Sequence, residues 1–189
     1  MKLKKMAKSV LLFKVRSFDQ REILSLISVH RHSGHGEGEM WGLCTHPKKY
    51  EICTASDDKT VRVWSLVERR MLRFRTFTKL LRTCQYSNNG DLIAVGTKDG
   101  EFYIIKESDL SDVASVQHRN QEVSDIKFSP NDQYIAVGTH DNFVDIYNRE
   151  TQKSKLIPFD RSSYRIFLGV GICKANSSYI THIDWDSRG

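Results

Sequence analysis

The sequence predicts an all-β chain built from repeated four-stranded units. Three observations carry that prediction: a repeat near 42 residues, turn residues at fixed offsets, and no helical periodicity sustained over three turns. The segments TASDDKTVRVWS (54–65), VGTKDGEFYIIK (95–106) and VGTHDNFVDIYN (137–148) align without gaps. Asp58, Asp99 and Asp141 are spaced by 41 and then 42 residues. A hydroxyl stands two residues before each (Ser56, Thr97, Thr139), and a large apolar or aromatic residue six after (Trp64, Ile105, Tyr147). Upstream the match continues through GLCTHP (42–47), TCQYSN (83–88) and SDIKFSP (124–130), and a fourth copy begins at YITHIDWDS (179–187).

Each copy has the same grammar. An alternating run (Val123, Ile126, Phe128) meets the turn Ser129-Pro130-Asn131-Asp132, and a second run follows at Tyr134-Ile135-Ala136-Val137. The pairs Asp58-Lys59, Asp99-Gly100 and Asp141-Asn142 then fit tight hairpins, because these residues tolerate positive φ. The third run alternates, with Val61 and Val63 on one face and Arg62 and Trp64 on the other. A more polar fourth run, such as 71–77, leads into the next copy. Short strands at this spacing describe four-stranded propeller blades.

The elements fall out in order. Residues 1–35 form a partial blade or divergent segment, in which 9–16 and 22–29 read as strands around Asp19-Gln20-Arg21. Complete blades are expected at 36–77, 78–117 and 118–172, and 173–189 starts a further one. From Trp64 to Leu81 and from Ile105 to Val123 the gaps are 17 and 18 residues, but Tyr147 and Ile180 are 33 apart. An insertion near 149–172 is therefore expected, as a loosely packed loop rather than an added strand. The fold expected is an incomplete propeller with three full blades plus partial ones, a fragment or short isoform. Its terminal blades would expose apolar faces around Val61, Val63, Ile104 and Ile146.

Composition excludes several classes. Hydrophobic residues make up 39% and charged residues 28%, a globular balance. No run of about 18 apolar residues exists to span a membrane. Cys44, Cys53, Cys84 and Cys173 lie far apart, which gives no zinc spacing and no disulfide framework; they read as small apolar fillers in a reducing cytosol. The net charge of +6 is uneven. Residues 1–16 carry six cations and no acid, a pattern that a mitochondrial presequence shares. Arg69, Arg70, Arg73, Arg75, Lys79 and Arg82 are opposed within 66–82 only by Glu68. Such a cluster is either a site for an acidic partner or a solvated outer face.

The series of motifs resembles the WD-repeat family, in which a histidine, a hydroxyl, the turn aspartate and a tryptophan form a buried network within one blade. On that resemblance, His35, Ser56, Asp58 and Trp64 would be the structural tetrad of the first full blade. Thr97 and Asp99 would be a remnant in the second; His118, Thr139, Asp141 and Tyr147 would be a partial tetrad in the third. HGEGEMWGLCTHP (35–47), followed by ASDDKTVRVW, YSNNGDLIAVGTKDGEFYII and IKFSPNDQYIAVGTHDNFVDIYN, is more closely similar to the echinoderm microtubule-associated-protein-like family and its tandem atypical propellers.

No catalytic constellation accompanies these motifs. His30, His32, His35 and His46 stand near Glu37 and Glu39, but His35 has a repeat equivalent in His118, so a structural role is simpler than a metal site. Gly34, Gly36 and Gly38 lack the following G-K-[ST] of a phosphate loop. The sequence therefore implies no enzyme, no cofactor and no metal. The resemblance implies a cytoplasmic, cytoskeletal protein that binds microtubules and tubulin through propeller surfaces. The alternative is a general scaffold for other proteins, in a ubiquitin or signalling assembly. No membrane partner is expected, and nucleic acid ranks last, because aromatics are not interleaved with the basic clusters.

Overall fold

The computed structural model describes residues 35, 38–117, 119–141, 143–149, 172–174 and 180–186. The expectations for 1–34, for His118 and for the packing of 150–171 lie outside the described residues.

Twelve strands form three antiparallel sheets among the described residues. The first holds β1 (Met40–Thr45), β2 (Glu51–Ser56), β3 (Thr60–Ser65) and β4 (Arg70–Thr76) in that order. The second holds β5 (Leu81–Tyr86), β6 (Leu92–Thr97), β7 (Glu101–Lys106) and β8 (Asp112–Gln117). The third holds β9 (Val123–Phe128), β10 (Tyr134–Thr139), β11 (Phe143–Asn148) and β12 (Ile172–Lys174). Each sheet is a meander, so every strand pairs with its chain neighbour, and the three blades form an open arc.

The strands form where β-branched and aromatic residues can bury one or both faces. β2 and β6 lie mid-sheet and are buried nearly throughout, whereas the outer strands β4 and β8 mix exposed and half-buried residues. The hairpin turns after β2 and β6 hold three residues, 57–59 and 98–100. The third of each is left-handed: Lys59 at φ 64° and Gly100 at φ 79°. Between β5 and β6, Ser87 Oγ accepts the Leu92 N–H at 3.0 Å; between β9 and β10, Ser129 Oγ accepts the Tyr134 N–H at 2.9 Å. The repeated Ser-x-x turn signal is thus a side-chain cap on the following strand.

Two apolar layers join the blades. Cys53, Val61, Val63, Leu81, Tyr86, Ile93 and Val95 fill the first, between blades one and two. Phe102, Ile104, Val123, Ile126, Ile135 and Val137 fill the second, between blades two and three. This corrects one expectation: Val61 and Val63 are fully buried and Ile104 nearly so, because each faces the neighbouring blade rather than a free end. Ile146 is half-buried.

The third blade brings a second correction. Its fourth strand is Ile172–Lys174, paired with β11 through Phe143↔Lys174, Val144↔Cys173 and Asp145↔Ile172. The expected division at 172/173 therefore falls inside a strand, because the meander needs its fourth member and finds it after the long connection. Beyond it, residues 180–186 lie along β9. The Ile183 N–H donates to Asp125 Oδ2 at 3.1 Å, the Trp185 indole donates to Lys127 O at 3.2 Å, and Ile180 is buried. Gly138 meets Ile180 just as Gly96, one repeat earlier, meets Val123. Ile180 thus stands to β10 as the first residue of β9 stands to β6.

Candidate functional site

The polar chemistry gathers at the end of the blades where the turns after β2, β6 and β10 lie beside the starts of β1, β5 and β9. In the first blade the Trp64 indole N–H donates to Thr54 Oγ1 at 2.9 Å, and Thr54 Oγ1 lies 2.7 Å from His35 Nε2. His35 Nδ1 is 2.9 Å from Asp58 Oδ2, with the two side chains 10% and 9% exposed. Asp58 Oδ1 also accepts the Thr60 hydroxyl at 2.6 Å and the Thr60 N–H at 2.9 Å, and Arg62 Nη2 stands 3.3 Å from Oδ2. The donors run consistently if the imidazole is neutral with its proton on Nδ1: Trp64 to Thr54, Thr54 to His35, His35 to Asp58. Burial holds the His35 imidazole below its usual pKa against the opposing pull of Asp58, in keeping with that neutral form.

His35, Asp58 and Trp64 are therefore brought together, but Ser56 is not their hydroxyl. Ser56 Oγ donates to Glu39 O at 3.1 Å and accepts the Asp58 N–H at 3.3 Å, so it fastens the turn. The linking hydroxyl is Thr54. It projects from the same face of β2 as Ser56, two residues earlier, which is why the repeat pattern alone pointed to the wrong one.

The repeat equivalents of Thr54 are Val95 and Val137, so blades two and three hold no oxygen at that place. They satisfy their turns differently. In the second, Thr97 Oγ1 accepts the Glu101 N–H at 3.0 Å, while Asp99 is exposed and its backbone carbonyl accepts from Gln117. Glu101 takes the Tyr103 hydroxyl at 2.7 Å, the Ser115 hydroxyl at 2.9 Å and the Lys79 ammonium at 2.8 Å. Burial opposes charge on Glu101, yet these three donors hold its carboxyl below the usual range. In the third, the Thr139 hydroxyl donates to Asp141, and Arg119 reaches Asp141 at 3.2 Å and Asp145 at 2.8 Å while lying 4.1 Å over the Phe143 ring. Tyr147 packs edge-on to Phe102, 5.1 Å between ring centres, in the inter-blade core.

Arg82 links the three blades. It pairs with Asp57 of the first, stacks 4.6 Å over the Trp41 ring, and reaches Glu122, just before β9, at 3.2 Å; its side chain is 7% exposed. The Trp41 indole completes the set by donating to Asp57 at 3.1 Å. No sequence signal distinguished Arg82 from its basic neighbours.

Those neighbours are also committed internally, against the reading of 69–82 as a site for an acidic partner. Arg73 pairs with Glu51 at 3.2 Å and with Glu107, and Arg75 forms two 2.7 Å bonds to Asp112 and one to Leu110 O. Lys79 holds Glu101 and Arg70 holds Glu68. Apart from Glu68, these acids lie far along the chain, some of them on the neighbouring blade for Arg73, Arg75 and Arg82, so a local charge count could not reveal them.

Consecutive four-stranded meanders, with a Trp–Thr–His–Asp chain inside one of them, define a WD-type β-propeller protein. The family described as "Echinoderm microtubule-associated protein second beta-propeller" matches residues 40–189, and the chain belongs to that family. It is 34% identical over 152 residues to Echinoderm microtubule-associated protein-like 2 of Homo sapiens, covering 80% of this chain and 22% of the relative. It is 32% identical over 153 residues to Echinoderm microtubule-associated protein-like 4 of Xenopus laevis, covering 80% of this chain and 15% of that one. To Echinoderm microtubule-associated protein-like 3 of Homo sapiens it is 31% identical over 157 residues, 82% of this chain and 16% of the relative. The chain thus spans less than a quarter of the length of these relatives. No helix among the described residues is long and apolar enough to cross a membrane.

Proposed function

We propose that this chain is a non-catalytic WD-repeat binding segment that acts in the cytoplasm on the microtubule cytoskeleton, with tubulin as partner and no cofactor. The observation that carries the reading is family membership over residues 40–189. The geometry supports it. Asp58, Glu101, Arg82 and Arg119 hold turns and blades in place, so rigid loop surfaces are what the scaffold has to offer. The exposed Lys59 and Lys98, on the turns after β2 and β6, would then meet acidic tubulin tails weakly, and a lattice would add such contacts through avidity. Co-sedimentation with stabilised microtubules across a salt series, with RNA and DNA as controls, tests the reading. Pelleting that declines with salt and exceeds nucleic-acid binding is expected. Absence of pelleting at the lowest salt overturns it.

The internal pairing of the 69–82 cluster favours a second reading, a protein scaffold without direct microtubule contact. A chain that fails to pellet alone but is carried down by a partner protein would decide for it.

A further inference from the structure

Three thiols scattered through the sequence converge between blades one and two. Cys44 and Cys53 stand opposite each other in the β1–β2 pair, and Cys84 arrives from β5 of the next blade. Their sulfurs lie within 4.8 Å of one another, and Cys44 Sγ is 3.7 Å from Cys84 Sγ. All three side chains are buried. Cys84 follows Cys44 by 40 residues, one short of the 41-residue spacing that makes it the equivalent of Leu43, so the two thiols leave opposite faces of equivalent strands and meet between the blades.

A second observation points to the same place. The Tyr86 side chain is 2% exposed and its hydroxyl has no hydrogen-bond partner. The ring packs in the same buried layer as Cys44, Cys53 and Cys84. A buried O–H left unpaired is costly, and polarizable thiolate sulfur is an acceptor that would satisfy it.

We propose that Cys44, Cys53 and Cys84 form a binding site for one soft metal or metalloid ion held by three sulfurs, with the Tyr86 hydroxyl as outer donor to a sulfur. Thiolates select thiophilic ions. With metal–sulfur bonds of about 2.3 Å, the sulfurs of a three-coordinate site stand roughly 4 Å apart around a planar ion and roughly 3.3 Å apart around a pyramidal one such as trivalent arsenic, and the 3.7 Å between Cys44 Sγ and Cys84 Sγ lies within that range. Among the described residues the cluster includes no fourth cysteine, histidine or carboxylate to complete a tetrahedron, so trigonal ions are preferred over zinc. Charge narrows the class further. A trivalent ion on three thiolates is neutral, which a buried layer tolerates and a net charge there would not. With arsenious acid the exchange balances without redox. Three S–H bonds and three As–O bonds break, three As–S bonds form, and the three thiol protons leave with the hydroxyls as water.

The test uses the reduced 189-residue chain and arsenite alone. Native mass spectrometry should show one arsenic gained and three hydrogens lost per chain, with a rise in the thermal midpoint by linkage. Alkylation after rapid denaturation should spare Cys44, Cys53 and Cys84 while labelling Cys173. Cys84→Ser should abolish the three-sulfur adduct and Cys173→Ser should leave it intact. If Cys84→Ser fails to fold, the wild-type protection map decides alone. No adduct on the folded chain, an adduct that protects Cys173 instead, or undiminished binding in folded Cys84→Ser would overturn the assignment.

Discussion

Replacing Thr54 with valine, the residue found at positions 95 and 137, should cost about 1–3 kcal/mol, because the Trp64 indole N–H loses its buried acceptor and His35 its link to the indole. Urea unfolding of the variant measures the loss, and the same substitution made in the presence of Asp58→Ala should cost less than it does alone, since both residues serve one chain of hydrogen bonds. Asp58→Ala by itself should also cost about 1–3 kcal/mol, by stranding Thr60 and His35. The turn aspartate was legible in the sequence because it recurs at a fixed spacing, and the tryptophan because a large apolar or aromatic residue stands six places after each one. The hydroxyl was not, since Thr54 and Ser56 share a face of one strand and only the position of His35 decides between them. Acid should weaken this network and also the turn that His46 holds through the Lys48 and Lys49 N–H groups. Burial is the first cause that holds both His35 and His46 below 6.5, their ordinary pKa. The unfolded chain therefore takes up protons first, so this contribution is intact above about pH 6.5 and is lost as pH falls through that value toward the depressed native ones. The thermal midpoint should drop between about pH 7 and pH 5, and drop less in a variant with glutamine at both positions.

At the scale of the element, the hairpin turns decide. Lys59 holds φ 64° without being glycine, so Lys59→Gly should stabilise the first blade by roughly 1 kcal/mol through relief of that strain, net of the added freedom of the unfolded chain. Gly100 holds the equivalent place, where a Cβ would come within 1.9 Å of Arg119 O. Gly100→Ala should therefore destabilise strongly, and the two substitutions in parallel thermal melts check both signs. The strands of the first two blades could be read from alternation and from the serine- and aspartate-marked turns. The fourth strand of the third blade could not, because Ile172–Lys174 is three residues long and lies beyond a connection that has no repeat equivalent.

Across the whole molecule, ion pairs between blades work alongside the apolar layers. Arg73 of β4 reaches Glu107 after β7, and Arg75 reaches Asp112 at the start of β8. Arg73→Ala leaves the buried Glu107 carboxylate with Lys49, at 3.1 Å, as its remaining cation, and should cost up to about 3 kcal/mol. Arg75→Ala faces an exposed Asp112 and should cost under about 1 kcal/mol, so urea unfolding of the pair separates a blade clamp from a surface ion pair. The late arrival of β12 has a further consequence, during synthesis. In the first two blades the fourth strand leaves the ribosome only a few residues after the third, whereas β11 ends at Asn148 and its partner begins at Ile172. At about 5–20 residues per second, the nascent chain carries an unpaired β11 edge for roughly one to five seconds. That interval is when a chaperone, or another nascent chain presenting a free strand, would compete for the place that Ile172–Lys174 finally takes.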